Sequence, residues 1–343
     1  MGRPLTALPT VPPTAYIRID HYSAVHLAAE AARALARRCG LTGALPDRAA
    51  VVASELGSNL AKHATDGALF LQKVPLGTGV EILAVDRGPG MAELQRCLAD
   101  GYTTTETLGA GLGGVSRIAT TFAIRTQEPE GTLACARLTA PADAETARRA
   151  VGSVCLPIEG EEVSGDACAM AETGDGGLTA IVVDGLGHGP PASEAAQIAL
   201  RAFAKVPDEP LPALLVRVHR ALRRSRGAAV GLLRLDSGRA QYCGIGNVRF
   251  LAVTHQETGH RLTGQPGVAG LEMPPPRTRE LPWEPGATAV LHTDGIDHRW
   301  ARDPAPFLLR LPAPLLATAL VHGHRHARDD ATVLTANLHQ RLP

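Results

Sequence analysis

Four short acidic motifs carry the residues of this sequence that are best suited to chemistry. They are Ser-Gly-Asp at 164–166, Asp-Gly-Leu-Gly-His-Gly at 184–189, Thr-Asp-Gly at 293–295 and Asp-Asp-Ala-Thr at 329–332. Asp184 and Asp294 each directly follow a run of β-type residues, so the backbone beneath each carboxylate is fixed. A neighbouring glycine lets a metal ion, a water or a phosphate approach the main chain. Carboxylate oxygens suit Mg²⁺ or Mn²⁺, so the motifs predict a divalent metal site, although one Asp-Gly pair alone more often marks a turn.

A second polar group lies on one predicted helix in the first half of the chain. Glu55, Asn59 and His63 are spaced at i, i+4 and i+8, so they share one face of that helix. A stripe of this kind can also be the solvated face of a structural helix. The spacing alone therefore leaves both interpretations open.

Two glycine-rich segments follow this helix along the chain. Asp-Arg-Gly-Pro-Gly-Met at 86–91 comes after a predicted strand, and Gly-Ala-Gly-Leu-Gly-Gly-Val-Ser-Arg at 109–117 leads into a predicted helix. Glycine-rich turns at a helix N-terminus direct several backbone N–H groups toward an anion. Each segment is a weak signal by itself, but the order of the three elements favours a nucleotide site.

The composition is that of a globular protein and argues against a nucleic-acid partner. Hydrophobic residues make up 45% and charged residues 20% of the 343 residues, which is typical of a globular protein of about two domains. Lys+Arg and Asp+Glu are equal at 34 each, and aromatic residues are only 3%. Without a basic excess or stacking aromatics, we expect no nucleic-acid partner.

The cysteines and the N-terminus indicate the compartment. The six cysteines are scattered without a Cys-x-x-Cys pair, which favours reduced, buried thiols over a disulfide framework. The first residues contain no apolar signal segment or membrane span. We therefore expect a cytoplasmic protein with no membrane partner.

Hydrophobic periodicity predicts the elements that position these motifs. Residues 1–15 are predicted to be a flexible tail, and residues 16–140 an α+β sandwich in which helices at 22–39 and 46–63 cover one face of an antiparallel sheet. Residues 141–150 break the pattern and are predicted to be a linker, although a short connecting helix is the alternative. Residues 151–343 are predicted to be β-rich, with helices near 191–205 and 212–225. The fold class is α+β with two domains.

The segment from about 150 to 340 resembles the SpoIIE/RsbX branch of the PPM-type metal-dependent serine/threonine phosphatases. The resemblance is carried by the four acidic motifs and by the Gly-Ile-Gly-Asn stretch at 244–247. It implies a β-sandwich between helical layers, two Mn²⁺ or Mg²⁺ ions, and direct attack of water on the phosphate without a covalent phosphoenzyme. The implied metal ligands are Asp166, Asp184, Gly185 through its carbonyl, Asp294 and Asp329.

Within this set the resemblance gives Asp184 the central role, as the catalytic carboxylate that bridges both ions. Asp330 is the less favoured member of the Asp329-Asp330 pair. His188 could serve as a general acid, but a role in shaping its loop is favoured.

Residues 16–140 resemble the GHKL ATP-binding fold, in the small RsbT/anti-sigma-factor kinase branch. The matching boxes are Glu55 and Asn59; Asp86, Gly88 and Gly90; Gly109, Gly111 and Gly113; and the strand-end pair Gly131-Thr132. The resemblance implies that Asp86 bonds the adenine amino group, that Asn59 holds Mg²⁺, and that the glycines of the third box cradle the phosphates of ATP. Lys62 would help to neutralise phosphate charge, Thr132 would belong to the same site, and Glu55 would be the catalytic base.

Together the two resemblances imply a bifunctional bacterial regulator. One half phosphorylates a serine or threonine of a STAS-domain anti-sigma-factor antagonist or related protein, and the other half removes phosphate. An alternative is a phosphatase regulated by an ATP-binding or partner-binding module that transfers no phosphate. A phosphatase for small molecules is a third. The sequence does not indicate an oligomeric state.

Overall fold

A computed structural model of the chain describes residues 14–92, 94 and 111–343. It is a mixed α and β structure with three five-stranded sheets. The chain folds into two compact units. One unit contains Thr14–Arg149 and Arg341–Pro343, and the other contains Ala150–Gln340. Of the described helices, none is both long and apolar enough to cross a bilayer.

The first unit is built on an antiparallel sheet with the strand order β1-β2-β3-β5-β4. The strands are β1 (Ala15–Arg18), β2 (Ala68–Lys73), β3 (Gly79–Val85), β4 (Thr121–Gln127) and β5 (Gly131–Thr139). The helices are α1 (Tyr22–Arg38), α2 (Leu45–His63) and α3 (Gly111–Ile118). They contribute to one apolar core with alternate residues of the sheet, such as Leu69, Leu71, Val80 and Ile82.

The sequence explains why the two long helices form where they do. Helix α1 has its buried residues at Val25, Ala28, Ala32, Leu35 and Ala36, the spacing of one helical face. The His21 side chain precedes this helix and accepts a bond from the Ser23 N–H. Helix α2 has proline in its first turn and Asp47 near its N-terminus, where an acid interacts favourably with the helix dipole.

Residues 141–150, predicted to be a linker, contain regular structure. They form a 3₁₀ turn (Pro141–Asp143), helix α4 (Ala144–Ala147) and the start of β6 (Arg149–Leu156). The fully buried guanidinium of Arg137 donates to the carbonyls of Ala147 and Arg149, at 2.7 and 2.9 Å. This segment therefore supplies hydrogen-bond acceptors to the first unit, which its small and charged residues alone did not reveal.

The second unit contains two antiparallel sheets, with the strand orders β13-β10-β9-β8-β7 and β12-β11-β14-β15-β6. The strands of the first sheet are β7 (Asp166–Glu172), β8 (Leu178–Gly185), β9 (Ala228–Asp236), β10 (Arg239–Ile245) and β13 (Arg279–Pro282). Those of the second are β6, β11 (Arg249–Val253), β12 (Thr258–Thr263), β14 (Thr288–His292) and β15 (Ala331–Arg341). Tyr242 on β10 stacks on Phe250 on β11, with ring centroids 5.7 Å apart, so side chains of the two sheets meet there.

Four helices complete this unit. They are α5 (Pro190–Ala204), α6 (Leu211–Leu222), α7 (Pro306–Leu309) and α8 (Ala313–His324). Helices α5 and α6 form one apolar core with the strands of the first sheet, including Ile181, Val230 and Leu232. At the start of α8 the Ala313 carbonyl accepts a 2.7 Å bond from Thr335 on β15, so this helix contacts the second sheet. The unit therefore has helices against both of its sheets.

Candidate functional site

The first two acids of the candidate metal site lie opposite each other in one sheet. Asp166 begins β7 and Asp184 is the penultimate residue of β8, and the two are directly paired in the antiparallel register. Asp166 is almost fully buried. Its Oδ2 accepts a 2.7 Å bond from the Thr293 hydroxyl, which belongs to the Thr-Asp-Gly motif after β14. Burial raises the pKa of Asp166 well above its usual value, and the charge of Asp184 raises it further.

The third acid is held by a turn that follows β10. Asp294 accepts a 2.7 Å bond on Oδ2 from the Asn247 side chain, and Asn247 lies in the Gly-Ile-Gly-Asn stretch that the sequence singles out. The pKa of Asp184 is raised to about 7, first by burial and then by the charges of Asp294, Asp329 and Asp330. These acids therefore lie close enough to Asp184 for their charges to act on it.

The Asp329-Asp330 pair divides into an exposed and a buried carboxylate. Asp330 is buried, and its two oxygens accept bonds from the Ile158 N–H at 2.9 Å and the Gly165 N–H at 2.8 Å. Asp329 is exposed, and its pKa is raised by partial burial and by the charge of Asp294. The Asp329 Oδ1 accepts only the N–H of its neighbour Asp330, at 2.9 Å, so among the described residues this carboxylate binds no other segment of the backbone. This arrangement supports the preference for Asp329 as a ligand, which remains a prediction.

The glycines of the motifs allow the acidic turns to approach one another. A Cβ on Gly185 would lie 2.5 Å from the Ala192 carbonyl oxygen, and a Cβ on Gly295 would lie 1.8 Å from the Asp330 carbonyl oxygen. The Gly185 N–H bonds the Gly165 carbonyl at 3.0 Å. No side chain fits at these positions, so each glycine permits a close contact between two of the motifs.

The donor set fits a divalent cation, although its side chains are not closed around one. Among the described residues, no three His, Cys, Asp or Glu side chains converge as a formed metal site would require. Asp166 and Asp294 are instead bonded to Thr293 and Asn247, and like charges repel. Within the same described part of the chain, neither Asp184 nor its acidic neighbours form an ion pair with lysine or arginine. Clustered carboxylates without a cationic partner favour binding of Mg²⁺ or Mn²⁺.

The candidate nucleotide site of the first unit is best defined at Asp86, which follows β3. Its Oδ1 accepts bonds from the Gly88 N–H at 2.9 Å and the Thr132 N–H at 3.2 Å. Burial raises the pKa of this carboxyl, while the two bonds lower it. A Cβ on Gly131 would lie 2.2 Å from the Asp86 carbonyl oxygen. The structure therefore brings Asp86, Gly88 and Thr132 together, with the hydrogen bonds from the described residues all on one carboxylate oxygen.

The remaining predicted residues lie on two helices and a turn. Glu55 and Asn59 are half-buried on α2, and Lys62 is exposed near its end. Gly90 is in the turn after β3 with a φ of 84°, and Gly111 and Gly113 are in the first turn of α3. No hydrogen bond or ion pair joins Glu55 or Asn59 to Asp86 within the described ranges. Gly109 lies outside the described residues.

Comparisons with known proteins give one family match and two relatives with different activities. The family described as Stage II sporulation protein E (SpoIIE) matches residues 174–339. Phosphoserine phosphatase RsbX of Bacillus subtilis (strain 168) is 30% identical over 146 residues, which are 41% of this chain and 72% of RsbX. Serine/threonine-protein kinase RsbT of the same organism is 32% identical over 102 residues, which are 29% of this chain and 77% of RsbT.

A crystal structure of RsbX in complex with magnesium is 24% identical to the chain, with a TM-score of 0.46, and the match covers 56% of this chain and 94% of RsbX. The family match covers the region that contains Asp184, Asp294 and Asp329. The chain therefore belongs to the SpoIIE family and carries a PPM-type phosphatase domain similar to RsbX.

Proposed function

We propose that residues 151–343 remove phosphate from phosphoserine or phosphothreonine of a partner protein, using a pair of Mn²⁺ or Mg²⁺ ions. The observation that carries this proposal is the cluster of acids around Asp184. Asp166, Asp294, Asp329 and Asp330 lie close enough for their charges to interact with this cluster, and within the described residues none of them forms an ion pair with lysine or arginine. Ions bound there would lower the pKa of water and offset the charge of the phosphate. The similarity to phosphoserine phosphatase RsbX supports the substrate class.

Hydrogen bonds from neighbouring side chains orient the acids. Thr293 holds one oxygen of Asp166, and Asn247 holds one oxygen of Asp294, so each acid keeps an oxygen for another ligand. Asp330 ties Ile158 and Gly165 to the strand end that carries Asp329. Such outer hydrogen bonds orient ligating carboxylates and are important for metal affinity.

Substitution of Asp184 by asparagine tests this function. Asparagine keeps the size of the side chain but removes the negative charge of the Asp184 carboxylate. We therefore expect Mn²⁺-dependent release of phosphate from a phosphoserine protein to fall at least ~100-fold. The measurement is phosphate release with Mn²⁺ and after chelation. Asp175→Asn, in an exposed turn, is the matched control. Unchanged activity of Asp184→Asn would refute the proposed centre.

We propose further that residues 16–140 bind ATP with Mg²⁺ and phosphorylate serine or threonine, with residues 141–150 connecting the two functions. The similarity to serine/threonine-protein kinase RsbT and the preorganised Asp86 carboxylate support this second activity. Glu55 is the proposed base, and Asn59 the Mg²⁺ ligand. A STAS-domain anti-sigma-factor antagonist or a related regulatory protein is the proposed partner. One chain would then hold both activities close to this shared target.

Transfer of labelled phosphate separates this activity from the alternative, a regulatory module that binds ATP without transfer. Wild-type protein should label a STAS-domain partner, and Glu55→Ala should reduce labelling while retaining ATP binding. ATP binding without labelling by the wild type would favour the regulatory module. Cleavage of a generic aryl phosphate, with a phosphorylated partner left intact, would favour a small-molecule phosphatase.

A further inference from the structure

We propose that Arg226, Leu186 and Leu271 form the surface that recognises the phosphorylated segment of a protein substrate. This inference rests on the proposed phosphatase function and names the chemistry that its substrate must have. Arg226 would bind the phosphate, and the two leucines would contact an apolar side chain next to the phosphorylated residue.

Three neighbouring backbone segments bring these residues together beside Asp184. In the sheet register Asp184 is paired with Ala229, and Gly185 with Ala228. Ala228 in turn exchanges two backbone hydrogen bonds with Ala269, at 3.0 and 2.9 Å. Leu186, Arg226 and Leu271 are each one or two residues beyond these paired positions. Leu186 and Arg226 therefore extend from the adjacent ends of β8 and β9, and Leu271 from the segment that forms an isolated β-bridge with Ala228.

The Arg226 guanidinium is placed against the acidic loop rather than away from it. A Cβ on Gly187 would lie 3.1 Å from Arg226 Nη1, and a Cβ on Gly165 would lie 3.2 Å from the Gly187 carbonyl oxygen. Gly187 thus lies between Arg226 and the segment that leads to Asp166. The lack of a side chain at Gly187 leaves room for the guanidinium beside this loop.

Arg226 is also available for a ligand. It is exposed, and within the described residues it makes no ion pair or hydrogen bond. A guanidinium presents a planar set of donors that match two oxygens of a phosphate. An exposed arginine beside clustered carboxylates would be expected to pair with one of them, and here it does not. A phosphate that the proposed divalent cations would hold beside these carboxylates would be its complementary partner.

The two leucines supply the apolar part of the surface. Leu186 is 41% and Leu271 60% exposed, and they are among the few large apolar side chains described as exposed. Both border Gly227: the Leu186 N–H bonds its carbonyl at 3.1 Å, and a Cβ there would lie 3.3 Å from Leu271 Cγ. The Leu271 loop is anchored, since the Gly270 N–H donates to His219 Nδ1 at 3.0 Å. A fixed apolar pair next to a phosphate-binding arginine fits a phosphopeptide with an apolar neighbour.

Steady-state kinetics with three substrates tests the surface. The substrates are a phosphoserine peptide with leucine after the phosphoserine, the same peptide with serine there, and a generic aryl phosphate. Arg226→Ala should raise KM about 10- to 100-fold for all three, because each loses a charge-assisted contact to phosphate. Arg226→Lys should lie between, since it keeps the charge but loses the planar donor set. Arg224→Ala, also at an exposed arginine, is the matched control and should change KM less than about twofold.

The leucines are tested by the double variant Leu186→Ser with Leu271→Ser. It should abolish the preference for the leucine peptide over the serine peptide, a loss of about five- to tenfold in relative kcat/KM. Equal behaviour of Arg226→Ala and Arg224→Ala would refute the role of Arg226. Retention of the peptide preference in the double variant would refute the role of the leucines.

Binding separates this inference from the proposed activity. The affinity for an analogue of the leucine phosphopeptide, with a non-hydrolysable phosphonate in place of the phosphate ester, is measured by fluorescence anisotropy with Mn²⁺ in proteins that keep Asp184. Arg226→Ala should weaken binding about tenfold or more relative to Arg224→Ala. If wild-type protein hydrolyses none of the substrates but this difference in affinity holds, the phosphatase proposal fails and the recognition surface remains. If hydrolysis occurs and the affinities are equal, the recognition surface fails.

Discussion

Asp329 and Asp330 are adjacent in sequence, yet their carboxylates have different surroundings. The Asp330 carboxylate joins Ile158 and Gly165 to the turn before β15 through two backbone donors, and it is buried. Asp329 is exposed and is influenced by the charge of Asp294. One acid therefore stabilises the loops, and the other is available to a ligand.

Alanine substitution should mainly reduce stability at Asp330 and mainly reduce activity at Asp329. Asp330→Ala leaves the buried Gly165 N–H and the half-buried Ile158 N–H without an acceptor, and we expect the free energy of unfolding to fall by about 2–4 kcal/mol. Asp329→Ala should change the free energy of unfolding by less than about 1 kcal/mol but abolish Mn²⁺-dependent phosphate release. Denaturant unfolding of the second unit and phosphate assays measure the two effects. A stable, inactive Asp330→Ala together with an active Asp329→Ala would reverse the assignment.

At this scale the sequence predicts the acids but not the way in which they are held. Asp166, Asp184, Asp294 and Asp329 stand out because each is in a short local motif. The bonds of Asp330 to Ile158 and Gly165 span more than 160 residues, so no local pattern reveals them. Arg226 gave no signal in the sequence for the same reason, because its position depends on the pairing of β8 with β9.

At the scale of elements, the acidic centre depends on strand ends that approach closely. The turn after β14 carries Asp294 and Gly295, and the turn before β15 carries Asp329 and Asp330. The Thr293 N–H bonds the Thr332 carbonyl at 3.1 Å, and the Thr332 N–H bonds the Thr293 hydroxyl at 3.0 Å. These contacts leave no space for a side chain at Gly295.

Gly295→Ala should therefore disrupt both stability and the site. Its Cβ would overlap the Asp330 carbonyl oxygen, at 1.8 Å, so one of the two turns must move. We expect a loss of about 2–4 kcal/mol in the free energy of unfolding, together with a loss of phosphatase activity. Gly174→Ala is the control, because a Cβ there meets nothing within 4 Å. Equal stability of the two variants would show that the turns are not packed as described.

The sequence predicts the long amphipathic helices of both units, and the elements that it misses have two physical causes. Periodicity identifies α1, α2, α5 and α6, since each has one buried and one exposed face. Helix α8 is apolar on almost every side, and β15 is a run of consecutive buried residues. Burial on both faces removes the alternation from which elements are recognised. The short strands β12 and β13 are largely exposed and have no apolar pattern.

At the scale of the whole molecule, the two candidate sites belong to different compact units. Asn59 and Asp86 lie in the unit that contains Thr14–Arg149, and Asp184 and Asp294 lie in the unit that contains Ala150–Gln340. Each unit has its own apolar core. Substitution of a ligand in one unit should therefore leave the binding reaction of the other unit intact.

Thermal unfolding with each ligand tests this separation in the full chain. A ligand that binds only the folded state stabilises it by about 2.7 kcal/mol at one hundred times its Kd. With Mg²⁺ held at one concentration throughout, we expect the addition of ATP to stabilise wild-type protein and Asp184→Asn equally, and to have little effect on Asn59→Ala. Mn²⁺ alone should show the reverse pattern, because it acts through the carboxylates around Asp184. If Asp184→Asn also abolished the effect of ATP, the two sites would be coupled, and a model with independent binding units would be wrong.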